Sequence, residues 1–560
     1  MLALALLATS VTSGITLAQD GKTSWVIVAA DQPPALHHGA EELQSTLKAV
    51  TGAIFAIVQK LPRGAKGIRV AFEPNLGEEE YTIRTDAQGM VIRGGGKRGA
   101  MYGCYGFLQD VVGCRWFTAK ASFLPLRKTL TIPSLKVREK PAFEYREPFF
   151  TEAFTAKDWC LRNRVNGNSM PLDDAVGGKV SYGKFVHTFS ELVPPSVYFK
   201  DHPEYFSQVQ GARQSGYAQL CLTNPDVLKI TIAKVEDWIR ENPSATIFSV
   251  SQNDTYYQCE CDACRAVEAE EGSPSGPLLR FVNKVADAIA VKYPKVLIDT
   301  LAYQWSEKPP LKEKPHKNVR VRLAPIYACF SHPLDGCDKN KLPLSNLQTW
   351  AKVTNQLYIW HYCTDFANYL QPLPCLDEMV GDLRIFKANG VVGVFEEGAY
   401  PPGGGADMAE LKSYVLARMM WNPSLPAKPI IWEFLTGVYG KAAPQMQAWL
   451  DLTHRGAREQ KLDATIYDPP TAPYFPDDLL VKGEALFNEA EAAVANDSNA
   501  LWMVQKARMA LEYLQVTRIA ADDPRRPALV KSLAAKIRRF GVTQTSEGGP
   551  AENFLQRIGG

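Results

Sequence analysis

Thr246-Ile-Phe-Ser-Val-Ser-Gln-Asn-Asp254 is a short apolar run that empties into two amides and a carboxylate. Ile247, Phe248 and Val250 have the β-branched and aromatic character of a strand buried in a parallel sheet, so Gln252, Asn253 and Asp254 are expected at its carboxyl end. In a (β/α) barrel that end is where chemistry is done, and unlike polar groups side by side there point to catalysis. The competing reading is a turn or helix cap, a role that Asn and Asp fill very often.

The surrounding chain repeats the pattern. Apolar β-runs alternate with amphipathic helices from Phe143 to Tyr400, close to the roughly 250 residues of a TIM barrel. The expected strands are Glu144–Phe150, Gly167–Pro171, Phe185–Thr188, Thr246–Ser251, Val296–Ala302, Val319–Ala324, Gln356–His361 and Gly390–Phe395, the number a (β/α)8 barrel needs. Helices are expected over Leu228–Arg240, Leu278–Lys292, Leu347–Val353 and Glu378–Lys387, each leading into a strand. The fold class is therefore α/β, with a TIM-type barrel over 141–405.

Residues 24–140 read as a small α/β domain, with a strand at Ser24–Ala29, a helix over Gly39–Val50 and a hairpin of Tyr81–Arg84 with Gly89–Arg93. The Gly-rich stretch Gly94–Gly103 lacks the spacing of a phosphate-binding loop and reads as a tight strand-to-helix turn. From 406 to 545 the Ala-, Leu- and Glu-rich sequence predicts helices packed on the barrel, and 546–560 reads as a Gly-rich flexible tail.

The 62 Lys plus Arg against 60 Asp plus Glu leave a net charge of +2, which provides no field to attract nucleic acid or an anionic membrane. A neutral ligand fits better, and 10% aromatic residues with 11 Trp are compatible with sugar-stacking platforms. Met1–Ala18 is uncharged, apolar over Leu2–Ala8 and ends Thr-Leu-Ala, so residues 1–18 read as a signal peptide cleaved after Ala18. A short membrane anchor is the alternative; no other segment approaches the ~18 apolar residues of a membrane span. The expectation is a secreted or periplasmic protein without a membrane span after cleavage. Cys259, Cys261 and Cys264 form a CxCxxC group beside Asp254. No matching Cys or His pair lies nearby to complete a zinc site, so a loop-stiffening disulfide or core thiols are expected, and no metal or cofactor.

Gly103-Cys-Tyr-Gly-Phe-Leu-Gln109, Gly113-Cys-Arg-Trp-Phe117, His202-Pro-Glu-Tyr-Phe206, Gln219-Leu-Cys-Leu-Thr-Asn-Pro225, Ser249–Asp254 with CxCxxC, and Leu301-Ala-Tyr303 together resemble glycoside hydrolase family 163 over most of residues 24 to 450. The leading domain also looks like those before the barrels of family 20 hexosaminidases and α-glucuronidases. The resemblance implies endo-β-N-acetylglucosaminidase action on complex N-glycans. It further implies a neighbouring pair at the end of the fourth strand, one group orienting the substrate's acetamido and the other serving as general acid.

Asn253 and Asp254 occupy that place, Asp254 as acid and Asn253 as the orienting amide; related families often carry Asp or Glu where Asn253 stands, and an amide cannot accept the acetamido proton. Glu396 and Glu397 end the eighth expected strand, and alternation lets only one point inward. That one is a sugar-hydroxyl binder or further acid/base, unless the pair is a solvent-facing turn. Arg146, His187, Tyr303, Trp360, His361 and Asp365 are the candidate substrate contacts, with Trp360 as a subsite floor. For His361 a hydrogen-bonded core role competes, and for Arg146 an internal ion pair. Two rivals to a retaining, substrate-assisted hydrolase remain. One is an α-glucuronidase-like inverting enzyme with Asp254 as acid and Glu396 or Glu397 as base, its carboxyls ~6.5–9.5 Å apart. The other is a catalytically silent glycan-binding protein.

Overall fold

The computed structural model describes residues 14–31 and 33–560. The chain divides into two compact units: one of residues up to Pro141 together with Ala156–Arg164 and Pro171–Lys179, the other of Ala142–Thr155, Val165–Met170 and Val180–Gly560. The smaller unit thus takes in two excursions beyond the boundary expected at 140.

Its sheet has the strand order Lys136–Glu139, Tyr81–Asp86, Gly89–Gly94, Gly67–Phe72, Val26–Val28, Ala56–Val58. The expected hairpin is present, Tyr81 pairing with Gly94 and Asp86 with Gly89. The expected helix is longer, Pro34–Thr51, and buries Leu43 and Leu47 as its apolar stripe requires. The Gly-rich turn is steric in origin: a Cβ on Gly94 would stand 1.9 Å from the Ala100 nitrogen. Ile15–Ala18, the end of the expected signal peptide, forms a strand antiparallel to Leu130–Ile132 and buries Leu17 and Ala18. Residues 1–13 of that expected segment lie outside the described residues.

The larger unit is built on seven parallel strands: β1 Tyr145–Phe149, β2 Tyr182–Lys184, β3 Ile247–Ser249, β4 Leu297–Tyr303, β5 Val319–Ala324, β6 Leu357–Tyr362 and β7 Gly393–Glu397. Their order is β1-β7-β6-β5-β4-β3-β2, so the first two strands in sequence stand at the two edges. The sheet is curled. The buried Arg322 guanidinium of β5 lies between 4.9 and 5.9 Å from the rings of Tyr145, Tyr182, Trp360 and Phe395, which come from β1, β2, β6 and β7.

The strand expected at Gly167–Pro171 is not formed, and Glu147 supplies the reason. Its carboxylate, rather than a neighbouring strand, accepts the backbone N–H of Asn168 at 3.0 Å and of Ser169 at 2.7 Å. Asn166 and Gly167 donate to the Arg146 carbonyl on one side, and the Asn168 side chain accepts from Tyr182 N–H on the other. The segment bridges β1 and β2 by side-chain bonds instead of a ladder. The strand expected at Phe185–Thr188 is not formed there either; β2 spans Tyr182–Lys184 and ends one residue before it.

The C-terminal helices pack in the same unit as the sheet rather than as a separate domain. They include Ala409–Trp421, Ala427–Tyr439, Ala443–Gln460, Leu479–Ala493, Ser498–Arg518 and Arg526–Phe540, all within the span 406–545 whose composition predicts helices. The tail is not a frayed end. Gln544–Ser546 forms a short strand and Ala551–Ile558 a helix whose Phe554 and Leu555 are buried. No helix among the described residues is long and apolar enough to cross a membrane.

Candidate active site

A cavity of about 210 Å³ opens at the carboxyl ends of the parallel strands. His187 follows β2, Asp254 follows β3, Leu301 and Tyr303 belong to β4, Ala324 ends β5, Trp360 and Tyr362 come from β6, and Glu397 ends β7. Five of the ten candidate residues therefore meet: Asp254, Glu397, His187, Tyr303 and Trp360.

The two carboxyls have different surroundings. Asp254 is exposed, and its Oδ1 accepts from Tyr303 Oη at 3.0 Å and Gln304 Nε2 at 3.4 Å. Glu397 is buried, and its Oε2 accepts the Trp360 indole N–H at 2.7 Å. Burial pushes the Glu397 carboxyl up to about 8; the indole donor pulls the other way, and the negative charges of Glu547 and Asp254 add to the rise. At neutral pH Glu397 holds a proton while facing the cavity that Asp254 also lines.

The loop bearing Asp254 is braced. The Gln219 amide donates to the carbonyls of Asn253 at 2.8 Å and Thr255 at 2.7 Å, and its oxygen accepts Asn253 N–H at 3.0 Å. His187 Nδ1 sits 2.8 Å from the Gln252 carbonyl, which accepts its proton and leaves Nε2 as the other ring nitrogen.

The remaining five candidates lie elsewhere. Asn253 is buried beneath the loop with its amide committed to backbone, Oδ1 accepting from Ser190 N–H at 3.1 Å and Nδ2 donating to the Ala218 carbonyl at 2.6 Å. It is not among the cavity's lining residues. Alternation along β7 sends Glu396 to the opposite face from Glu397. There Glu396 lies 3.3 Å from His361 Nδ1, while His361 Nε2 is 3.0 Å from Glu378 and 3.5 Å from Asp382. Burial opposes the His361 imidazolium, but Glu396 and Asp382 hold its pKa above the ordinary value. Arg146 donates to the Phe143 carbonyl at 2.6 Å and lies 5.3 Å from the Trp421 ring. Asp365 accepts from Asn368 N–H and Gln371 Nε2 in the core, and burial pushes it up to about 8.

Tyr362 with Ile326, Phe366, Tyr467 and Glu547 completes the walls. Tyr362 stands two residues from Trp360 and shares its face, a signal present in the sequence. Tyr467 and Glu547 come from distant loops and carry none. Glu547 belongs to the tail and is anchored by its N–H to the Phe366 carbonyl at 2.7 Å and by Tyr400 Oη at 3.0 Å. Of the two expectations for the CxCxxC group, a disulfide or core thiols, the structure has thiols: all eleven cysteines are free.

In fold, the chain is similar to a solved family GH115 4-O-methyl-alpha-glucuronidase with specificity for decorated arabinogalactans, at TM-score 0.57 and 11% identity over 94% of this chain and 78% of that one. A lower TM-score of 0.43, at 12% identity over 78% of this chain and 93% of the other, relates it to a beta-N-acetylhexosaminidase from Bacteroides fragilis. No curated protein is matched. The chain belongs to the DUF4838 family, a domain of unknown function, whose model matches residues 116–451.

Proposed function

We propose that this protein is a glycoside hydrolase that cleaves β-linked N-acetylglucosaminides in glycans, with Asp254 and Glu397 as its working pair. The observation that carries the reading is the contrast between these two carboxyls on one cavity. A buried carboxyl that keeps its proton can do acid work beside an exposed carboxyl on the same cavity. Glu397, protonated at neutral pH, suits the general acid that delivers a proton to the leaving oxygen. Asp254 suits the role first read into Asn253: a carboxylate can accept the acetamido N–H and so direct the acetamido carbonyl at the anomeric carbon. Asp254 thereby changes from the acid of the sequence reading to the orienting group, because it is the open carboxyl and Glu397 the enclosed one. Rings of Trp360, Tyr362, Phe366 and Tyr467 offer apolar faces to a sugar.

The cavity's charge argues against a uronic acid as substrate. Asp254, Glu397 and Glu547 line it, and among the described residues neither Arg nor Lys does. An anionic sugar would bring a fourth carboxyl without a cationic partner, whereas N-acetylglucosamine is neutral. The family 163 resemblance and the barrel-like placement of the cavity support the same reading.

NMR of the first sugar released from a β-linked substrate tests it. A β-anomer is expected, formed through an oxazoline-like intermediate with retention, and an initial α-anomer would overturn the substrate-assisted route. Asp254→Asn and Glu397→Gln should each lower turnover by at least ~10²-fold in folded protein, the lower end of what a positioned acid or base contributes. Unchanged rates in both folded variants would remove these two carboxyls from the chemistry, whereas no turnover of any aryl glycoside by the wild type would leave the binding-protein alternative standing.

A further inference from the structure

The CxCxxC run lacks a fourth ligand in its own neighbourhood of the sequence, and the fold supplies one. Cys221, from the long insertion between β2 and β3, comes to Cys259, Cys261 and Cys264, and the four sulfurs lie within 4.8 Å of one another. Cys221 Sγ is 3.7 Å from Cys261 Sγ and 4.0 Å from Cys264 Sγ. A disulfide needs about 2.05 Å. A tetrahedron with Zn–S bonds of ~2.3 Å has edges of about 3.8 Å, which is the spacing found.

The surroundings suit thiolates. Gln208 N–H points at Cys259 Sγ from 3.4 Å, the Arg213 guanidinium lies 3.7 Å from the same sulfur, and Thr223 Oγ1 is 3.2 Å from Cys264 Sγ. Four thiolates around a divalent ion leave a net charge of −2, and donors of this kind orient and offset such ligands. Cys261 and Cys264 also flank the start of the helix Asp262–Glu271, whose amino-terminal dipole favours negative sulfur. Cys221, Cys259 and Cys264 are buried and Cys261 is half-buried, so the group is closed like a structural site rather than open to substrate.

We propose that Cys221, Cys259, Cys261 and Cys264 bind one tetrahedral zinc ion, which fastens the loop carrying Asp254 to the insertion that precedes β3. Loading deprotonates the four thiols and releases their protons to solvent. The ion adds a second tie to one already present, since Gln219 grips the backbone of Asn253 and Thr255 two residues before Cys221. The assignment stands apart from the hydrolase reading and is tested without an activity assay.

The full chain, purified without chelator, should contain one more equivalent of zinc per molecule than its Cys221→Ser variant. Taking the difference cancels any ion held by the separate group Cys329, His332, Cys337 and Asp463. A variant that does not fold is replaced by the wild type exchanged with Co²⁺, where tetrathiolate ligation gives intense visible d–d bands and sulfur-to-metal charge transfer in the near ultraviolet. Non-reducing peptide mapping should find the four cysteines free of disulfides. Equal metal in wild type and variant, absent tetrathiolate bands, or disulfides among the four would overturn the site. Iron in place of zinc would overturn the identity of the ion, since a four-sulfur tetrahedron also suits iron.

Discussion

Glu397 is a titrating group whose neighbours pull in opposite directions, and each neighbour can be changed alone. The Trp360 indole N–H favours the carboxylate, while the Glu547 and Asp254 charges disfavour it. If the proton on Glu397 is the one delivered to the leaving oxygen, activity falls as pH rises through about 8. Trp360→Phe removes the donor that stabilises the charged form, so the alkaline limb of kcat against pH should move up. Glu547→Gln removes a like charge, so the limb should move down. Limbs that stay in place or shift together, whatever happens to the rate, would remove Glu397 from the acid role. At this scale the sequence was half legible. Alternation along Phe395-Glu396-Glu397 shows that only one glutamate can face inward, and β7 obeys. Adjacency to Asp254 wrongly favoured Asn253, because beyond the strand's last ladder bond the backbone turns and the next amide satisfies backbone groups instead of substrate.

At the level of elements, long periodic segments read well and side-chain-mediated ones did not. β5 falls where the apolar run placed it, and the helix Ser275–Lys292 extends its expected span by one turn. The bridge at 166–169 escaped because its hydrogen bonds run to Glu147 and Asn168 side chains, which carry no periodicity. The tail escaped because its helix is short and its apolar partners are remote in sequence. Phe554 and Leu555 pack in one cluster with Leu370, Met509, Tyr513 and Leu533. Leu555→Ala should therefore cost ~2–5 kcal/mol of stability, the range for emptying a buried leucine site. Urea unfolding measures it, and a loss within the ±0.5 kcal/mol of surface changes would mean that the tail helix is not docked in solution. Because Glu547 sits just before this helix, Leu555→Ala should also lower the alkaline limb as Glu547→Gln does.

Across the whole molecule the buried carboxyls share one consequence. Burial pushes Asp365 and Glu397 up to about 8 and Asp382 up to about 7, and it holds Glu378 well above the ordinary carboxylate range. The unfolded chain releases these protons near pH 4, so between pH 4 and 8 the folded protein binds more of them, and stability falls as pH rises. His361, raised in the fold, has the same sign above its unfolded value of 6.5: its contribution is present below that pH and lost above. His454, lowered to about 4 by burial, opposes the trend only below 6.5. Surface carboxylates lowered by ion pairs, such as Asp86 with Arg69, act only in acid, below their unfolded values. From pH 6.5 to 8.5 the named carboxyl and imidazole terms therefore act in one direction. Thermal unfolding should show Tm declining steadily across that range, and Asp365→Asn, which keeps the shape but not the titration, should flatten the slope. A Tm that is level or rises from pH 6.5 to 8.5 would mean that these carboxyls are ionised in the folded protein, and the proton assigned to Glu397 would lose its basis with them.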